Sequence, residues 1–155
     1  MRKTQAMKTF TPFKTIMTMF VMVLFFYQAN AQCNAFVKKK CMPNIAPFTH
    51  NGQTNTSMLT PGHSIEIGLT IYSGQDYRIL VCGEEILGEC SFKVMDQSRK
   101  VLFDSKKNDS TDFWDFKSKS SQQLIVEVTA NAPESTSSTP PSGCVSVLVG
   151  FKKDK

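Results

Sequence analysis

The amino-acid sequence predicts an all-β fold: a two-sheet antiparallel sandwich, jelly-roll-like, with a short N-terminal helix stapled to it by disulfides. Three observations predict it. Residues 54–155 hold seven or eight short runs rich in β-branched and aromatic residues, separated by turn-forming stretches, with no long helical period. The cleanest run, 64–72, alternates Ile65, Ile67, Leu69 and Ile71 with Glu66, Gly68, Thr70 and Tyr72, the pattern of a half-buried antiparallel strand. All five cysteines (Cys33, Cys41, Cys82, Cys90, Cys144) follow residue 31.

Residues 1–31 read as a cleaved signal peptide. Arg2, Lys3, Lys8 and Lys14 precede an apolar run over 16–27, and Ala29-Asn30-Ala31 is a small-x-small cleavage site. The run is too short for a spanning helix, which needs about 20 apolar residues. Gln32 stands immediately before Cys33, where a lipoprotein signal requires a small residue, so lipidation is not expected. The expected organisation is 1–31 signal peptide, 32–53 helix and extended segment, and 54–155 sandwich, a size suited to one domain. The leader holds 4 of the 18 Lys and Arg and none of the 13 Asp and Glu, which leaves 14 against 13, or +1. That near-neutral balance gives no argument for nucleic acid or an acidic substrate. A periplasmic or secreted monomer is expected, with no transmembrane span after leader removal.

In chain order, Asn34 is placed to cap a short helix whose apolar contacts are Phe36 and Val37. Met42-Pro43 and Ala46-Pro47 mark an extended stretch. Residues 54–59 form a first strand, ended by Pro61-Gly62, and 64–72 a second. Residues 73–76 turn into what reads as a central β-hairpin, 77–82 and 90–96 joined by 83–89. Its first arm is almost continuously apolar, as for a strand covered on both faces. Residues 101–103 are a short strand, 104–111 a charged loop and 113–116 an edge strand. Residues 122–129 alternate well, 131–142 are a Pro/Ser/Thr-rich loop, and 143–151 close the sheet.

An exported chain makes disulfides the default use of cysteine, and five leaves one over. No Cys-x-x-Cys or Cys/His metal spacing is present. Strand alternation places Cys82 and Cys144 outward and Cys90 inward with Phe92 and Val94. Two cysteines eight residues apart on a helix lie about 12 Å apart, too far to bridge each other. Cys33 and Cys41 are therefore expected to pair with Cys82 and Cys144. A Cys82–Cys90 bridge across the hairpin is the rival.

Chemistry is sparse. His50 and His63 sit in turn-like contexts, and no hydrolase elbow, phosphate loop or dinucleotide fingerprint occurs. Glu84, Glu85 and Glu89 form one carboxylate cluster, the basis of an alternative reading as a small secreted hydrolase. Asp104, Asp109, Asp112 and Asp115 form another, and Asp104, Asp109 and Asp112 are weak calcium candidates with Lys106 and Lys107 among them. Phe113, Trp114 and Phe116 are candidates for an aromatic binding platform, with core packing as the competing use. Lys38-Lys39-Lys40 reads as a solvated helix face. Asn55-Thr56-Ser57 and Asn108-Asp109-Ser110 match the N-glycosylation pattern, and Asp109-Ser110-Thr111 resembles a bacterial O-glycosylation triplet.

The order Tyr77-x-Ile-x-Val, Phe92-x-Val-x-Asp96, Val101-Leu102-Phe103-Asp104, Trp114, Leu124 to Val128 and Gly143-Cys144-Val145 resembles small pre-peptidase C-terminal and GOLD-like β-sandwich modules. The resemblance covers about two-thirds of the mature chain. It implies a non-catalytic exported module, although the cysteines and the N-terminal segment depart from the pattern. The expected function is therefore an exported, non-enzymatic binding or accessory module of the bacterial envelope, with no cofactor and with a protein or glycan partner. A structural protein dimerising through its spare cysteine is the other alternative.

Overall fold

Doubling the chain back at the turn after residue 96 lays 90–96 beside 101–104, 75–83 beside 113–118, 64–71 beside 122–130 and 49–59 beside 143–153. Rolling that double ribbon yields two sheets. A computed structural model shows this arrangement and describes residues 33–131 and 141–153. The expected signal peptide, and the expected loop between 131 and 142 except at its ends, lie outside the described residues. The strands are β1 (Thr49–Leu59), β2 (Ser64–Ile71), β3 (Gln75–Gly83), β4 (Cys90–Asp96), β5 (Val101–Asp104), β6 (Phe113–Ser118), β7 (Gln122–Ala130) and β8 (Gly143–Lys153). Sheet A has the order β1-β8-β3-β6 and sheet B the order β2-β7-β4-β5, with every pairing antiparallel. Two four-stranded sheets wrapped in this nested order form a jelly roll.

Alternation decides what each strand buries. Leu69 and Ile71 of β2, Tyr77, Ile79 and Val81 of β3, and Phe92 and Val94 of β4 meet Leu124, Val126 and Val128 of β7 and Val145, Val147 and Val149 of β8 between the sheets. Each such side chain, fully buried, contributes about 1.5–3 kcal/mol relative to exposure. A second cluster lies on the opposite side of sheet A, where Leu80 and Leu148 pack against Val37, Cys41 and Ile45. That cover explains the unbroken apolar run of β3, a central strand with both faces buried.

Three expectations are corrected. The segments 77–82 and 90–96 do not form a hairpin: β3 belongs to sheet A and β4 to sheet B, and residues between them cross one end of the sandwich. Both runs have strand composition, but composition carries no information on which sheet a strand joins. The first strand begins at Thr49 rather than 54, and its register shifts between His50 and Thr54 around Gly52, whose φ is 86°. Cys33 is already helical, so Asn34 lies within the first turn instead of capping it.

Candidate functional site

Residues 33–36 are α-helical, Val37–Cys41 make a wider π-helical turn and Met42–Ile45 a tighter 3-10 turn. Cys33, Val37, Cys41 and Ile45, four residues apart, are all buried against sheet A. An ideal α-helix drifts about 40° for each step of four, and the wide central turn offsets that drift. Two disulfides fix this stripe: Cys33–Cys144, with Cα atoms 5.5 Å apart, and Cys41–Cys82, at 5.8 Å. Cys90 keeps a free thiol, half-buried beside Gly83, and burial pushes its pKa up.

A neighbouring stripe of the same segment, Phe36, Lys40 and Asn44, forms one wall of an open groove of about 540 Å³. The facing wall is the end of β3 and the connection after it, with Cys82, Glu85 and Ile86. This wall is tied down. The Glu84 N–H donates to the Cys144 carbonyl at 2.9 Å, and the Glu84 carboxylate accepts from the Cys144 N–H at 2.8 Å. Leu87 is fully buried beneath the wall, whereas Ile86 is 49% exposed. Gly143 permits this approach, since a Cβ there would lie 2.6 Å from Ile86 Cγ2.

Arg78 braces the other end of the segment. Its Nε and one terminal nitrogen donate to the two Asp115 carboxylate oxygens at 2.7 Å each, and the other terminal nitrogen donates to the Ala46 carbonyl at 2.8 Å. Its guanidinium lies 4.3 Å from the Phe113 ring centroid and 4.8 Å from that of Phe48. The bond to Asp115 raises the Arg78 pKa further above its ordinary value. Sequence reasoning missed this clamp and the groove. The one available signal was a lone arginine in an apolar strand, on the same face as Cys82.

The other sequence candidates are dispersed. Phe113, Trp114 and Phe116 do not share a face. Trp114 and Phe116 pack on the core in a row of rings running Phe92, Phe103, Trp114, Phe116, Tyr77, with centroid spacings of 4.2–5.8 Å, whereas Phe113 lies over Arg78. Asp104 accepts from the Lys106 N–H at 3.1 Å, and among the described residues no group of three or more His, Cys, Asp or Glu is placed to hold a metal ion. Of the loop glutamates, Glu84 is committed to Cys144, while Glu85 and Glu89 are exposed. His50 accepts from the Gly52 N–H at 3.2 Å and His63 is exposed in a turn. Asn55 is half-buried in β1, and the Asn108 amide donates to the Asp104 carbonyl at 2.7 Å. Asp109 and Ser110 sit in an exposed loop at φ 54° and 50°.

No family model matches the chain. No curated protein matches it. Among solved structures it is similar to PliG of Aeromonas hydrophila, described as a periplasmic lysozyme inhibitor of g-type lysozyme. The identity is 14%, the match covers 64% of this chain and 85% of that one, and the TM-score is 0.46.

Proposed function

We propose that this protein is an exported, non-enzymatic binding module of the cell envelope, and that a protein partner docks in the braced groove between the helical segment and the connection after β3. One observation carries the reading. Both walls of the groove are fixed by disulfides or by hydrogen bonds, yet Phe36 and Ile86 are left accessible to solvent on them. A preorganised apolar cleft lowers the entropic cost of binding, and the opposite charges of Lys40 and Glu85 on its two walls suit the polar rim of a protein interface. Export is supported by the two disulfides. Among the described residues no helix is long and apolar enough to cross a membrane.

A photo-activatable amino acid at position 86, in cells of the native host, tests the reading. A discrete protein adduct is expected that disappears with Phe36→Asp and does not form from position 101 on sheet B. No adduct from position 86, or the same adduct from both positions, overturns it. Hydrolysis by the purified protein that is lost in a Glu85→Gln/Glu89→Gln variant would return it to the enzymes.

A further inference from the structure

Seven of the eight glycines have a reason in the fold. Gly52, Gly62, Gly74 and Gly88 adopt positive φ, and a Cβ on Gly83, Gly143 or Gly150 would lie 2.6–2.7 Å from a neighbouring side-chain atom. Gly68 has neither reason. It sits in mid-β2 on the outer face of sheet B, and a Cβ there would meet nothing within 4 Å. Glycine weakens a strand interior and often marks a bulge, a tight bend or a place where a ligand or another backbone comes close; the β2–β7 register runs unbroken through Gly68, so no bulge accounts for it.

The surroundings indicate the chemistry. Gly68 opposes Ile125 of β7, which opposes Met95 of β4. Gly68 and Ile125 line a shallow hollow of about 520 Å³ whose lining, including Thr70, Gln97 and Gln123, carries no charged residue. The Gln97 amide donates to the Gln123 side-chain oxygen at 2.7 Å. This leaves the Gln97 oxygen as an acceptor and the Gln123 nitrogen as a donor for a ligand. Of the nearby charges, Arg99 donates to both Glu66 oxygens at 2.8 and 2.9 Å, across the face from the β4–β5 turn to β2, and Glu127 of β7 stands between Glu66 and Lys93 in the cross-strand row. A second hollow of about 440 Å³ shares Gln97 and Gln123 and extends the polar surface over Gln122, Ser121 and Ser98 to Asp96, whose Oδ1 already accepts from Ser98 and Lys100.

We propose that the outer face of sheet B around Gly68 is a second binding site, for a neutral oligosaccharide. Each sugar hydroxyl both donates and accepts, as the paired glutamines require. The C–H face of a pyranose fits Ile125 and the bare backbone of Gly68. The site is on the opposite sheet from the groove and does not depend on it.

The test uses the oxidised mature chain and a panel of neutral oligosaccharides (β-linked glucans, N-acetylglucosamine oligomers, mannans), acidic glycans and peptides. The expected result is binding to a neutral oligosaccharide, little changed between about 0.05 and 0.5 M salt. Gly68→Val is expected to weaken that binding about tenfold or more while melting at or above the wild-type temperature. Gln123→Ala weakens it too, and Ile86→Asp leaves it unchanged. Absence of binding to every neutral oligosaccharide, preference for acidic glycans or peptides, or undiminished binding by Gly68→Val overturns the proposal. So does a lowered melting temperature for Gly68→Val, since Gly68 would then serve the fold.

Discussion

Arg78 projects from a central strand into a place with little water, its side chain only 13% exposed. Its fork is nonetheless occupied, by Asp115 across β6, by the Ala46 carbonyl and by two aromatic faces. Lysine has the charge but not the planar fork. Arg78→Lys is therefore expected to lower unfolding stability by about 1–3 kcal/mol in urea titration; a change under about 0.5 kcal/mol would show the clamp to be incidental. Asp96 holds the β4–β5 turn in a different way. Its Oδ1 accepts from the Ser98 hydroxyl, the Ser98 N–H and the Lys100 N–H at 2.6–3.0 Å, and these bonds depress its pKa. A depressed carboxylate contributes stability that is complete above its ordinary value and lost as pH falls through the folded one. Below about pH 4 the wild type should accordingly lose stability more steeply than Asp96→Asn; parallel acid profiles would refute this. At this scale the sequence was partly legible. Alternation placed Cys82 outward and Cys90 inward, because a strand's period of two is local. It could not reveal Arg78's partners, which lie 30 or more residues away in both directions.

The N-terminal helical segment is too short to be stable alone in water. It persists because sulfur and apolar contacts fasten it to sheet A. In chain-entropy terms, closing the 41-residue separation of Cys41 and Cys82 is worth about 4 kcal/mol, and the 111-residue separation of Cys33 and Cys144 about 5 kcal/mol. Replacing both Cys41 and Cys82 by serine should loosen residues 36–48 first. Amide exchange there is expected to accelerate while β3, β7 and β8 keep their protection, and uniform acceleration would contradict local fastening. Gly150 belongs to the same interface, since a Cβ would lie 2.7 Å from Phe48 Cβ and 2.9 Å from Ile45 Cγ1. Gly150→Ala should therefore destabilise by about 1–3 kcal/mol through overpacking, measured by thermal unfolding. The strands themselves were readable from periodicity to within a few residues. The β3–β4 connection was not, because a seven-residue stretch with two glycines and three glutamates looks the same whether it reverses within a sheet or passes between two. Only the nested pairing, in which β3 finds β6 and β4 finds β5, distinguishes these routes.

For the molecule as a whole, the two sheets have opposite fates on their outer faces. Sheet A is covered by residues 33–48 and gains a groove at the margin of that cover, while the outer face of sheet B is open to solvent around Gly68. Combining Ile86→Asp with Gly68→Val should give each single defect and no more, because the sites share no residue. If one change altered the other site's affinity, the sandwich would be transmitting strain between its layers. The all-β architecture followed from composition and alternation, which are properties of short windows. The groove did not, since its walls are joined only when residues 36–44 meet residues 82–86. The cysteine connectivity has one more consequence. Cys33 is bonded to Cys144, so a protease that cuts once anywhere between them liberates no fragment. The clipped product keeps its mass, apart from one added water, until a reductant lets the pieces part, and such damage would go unseen by any assay that omits that step.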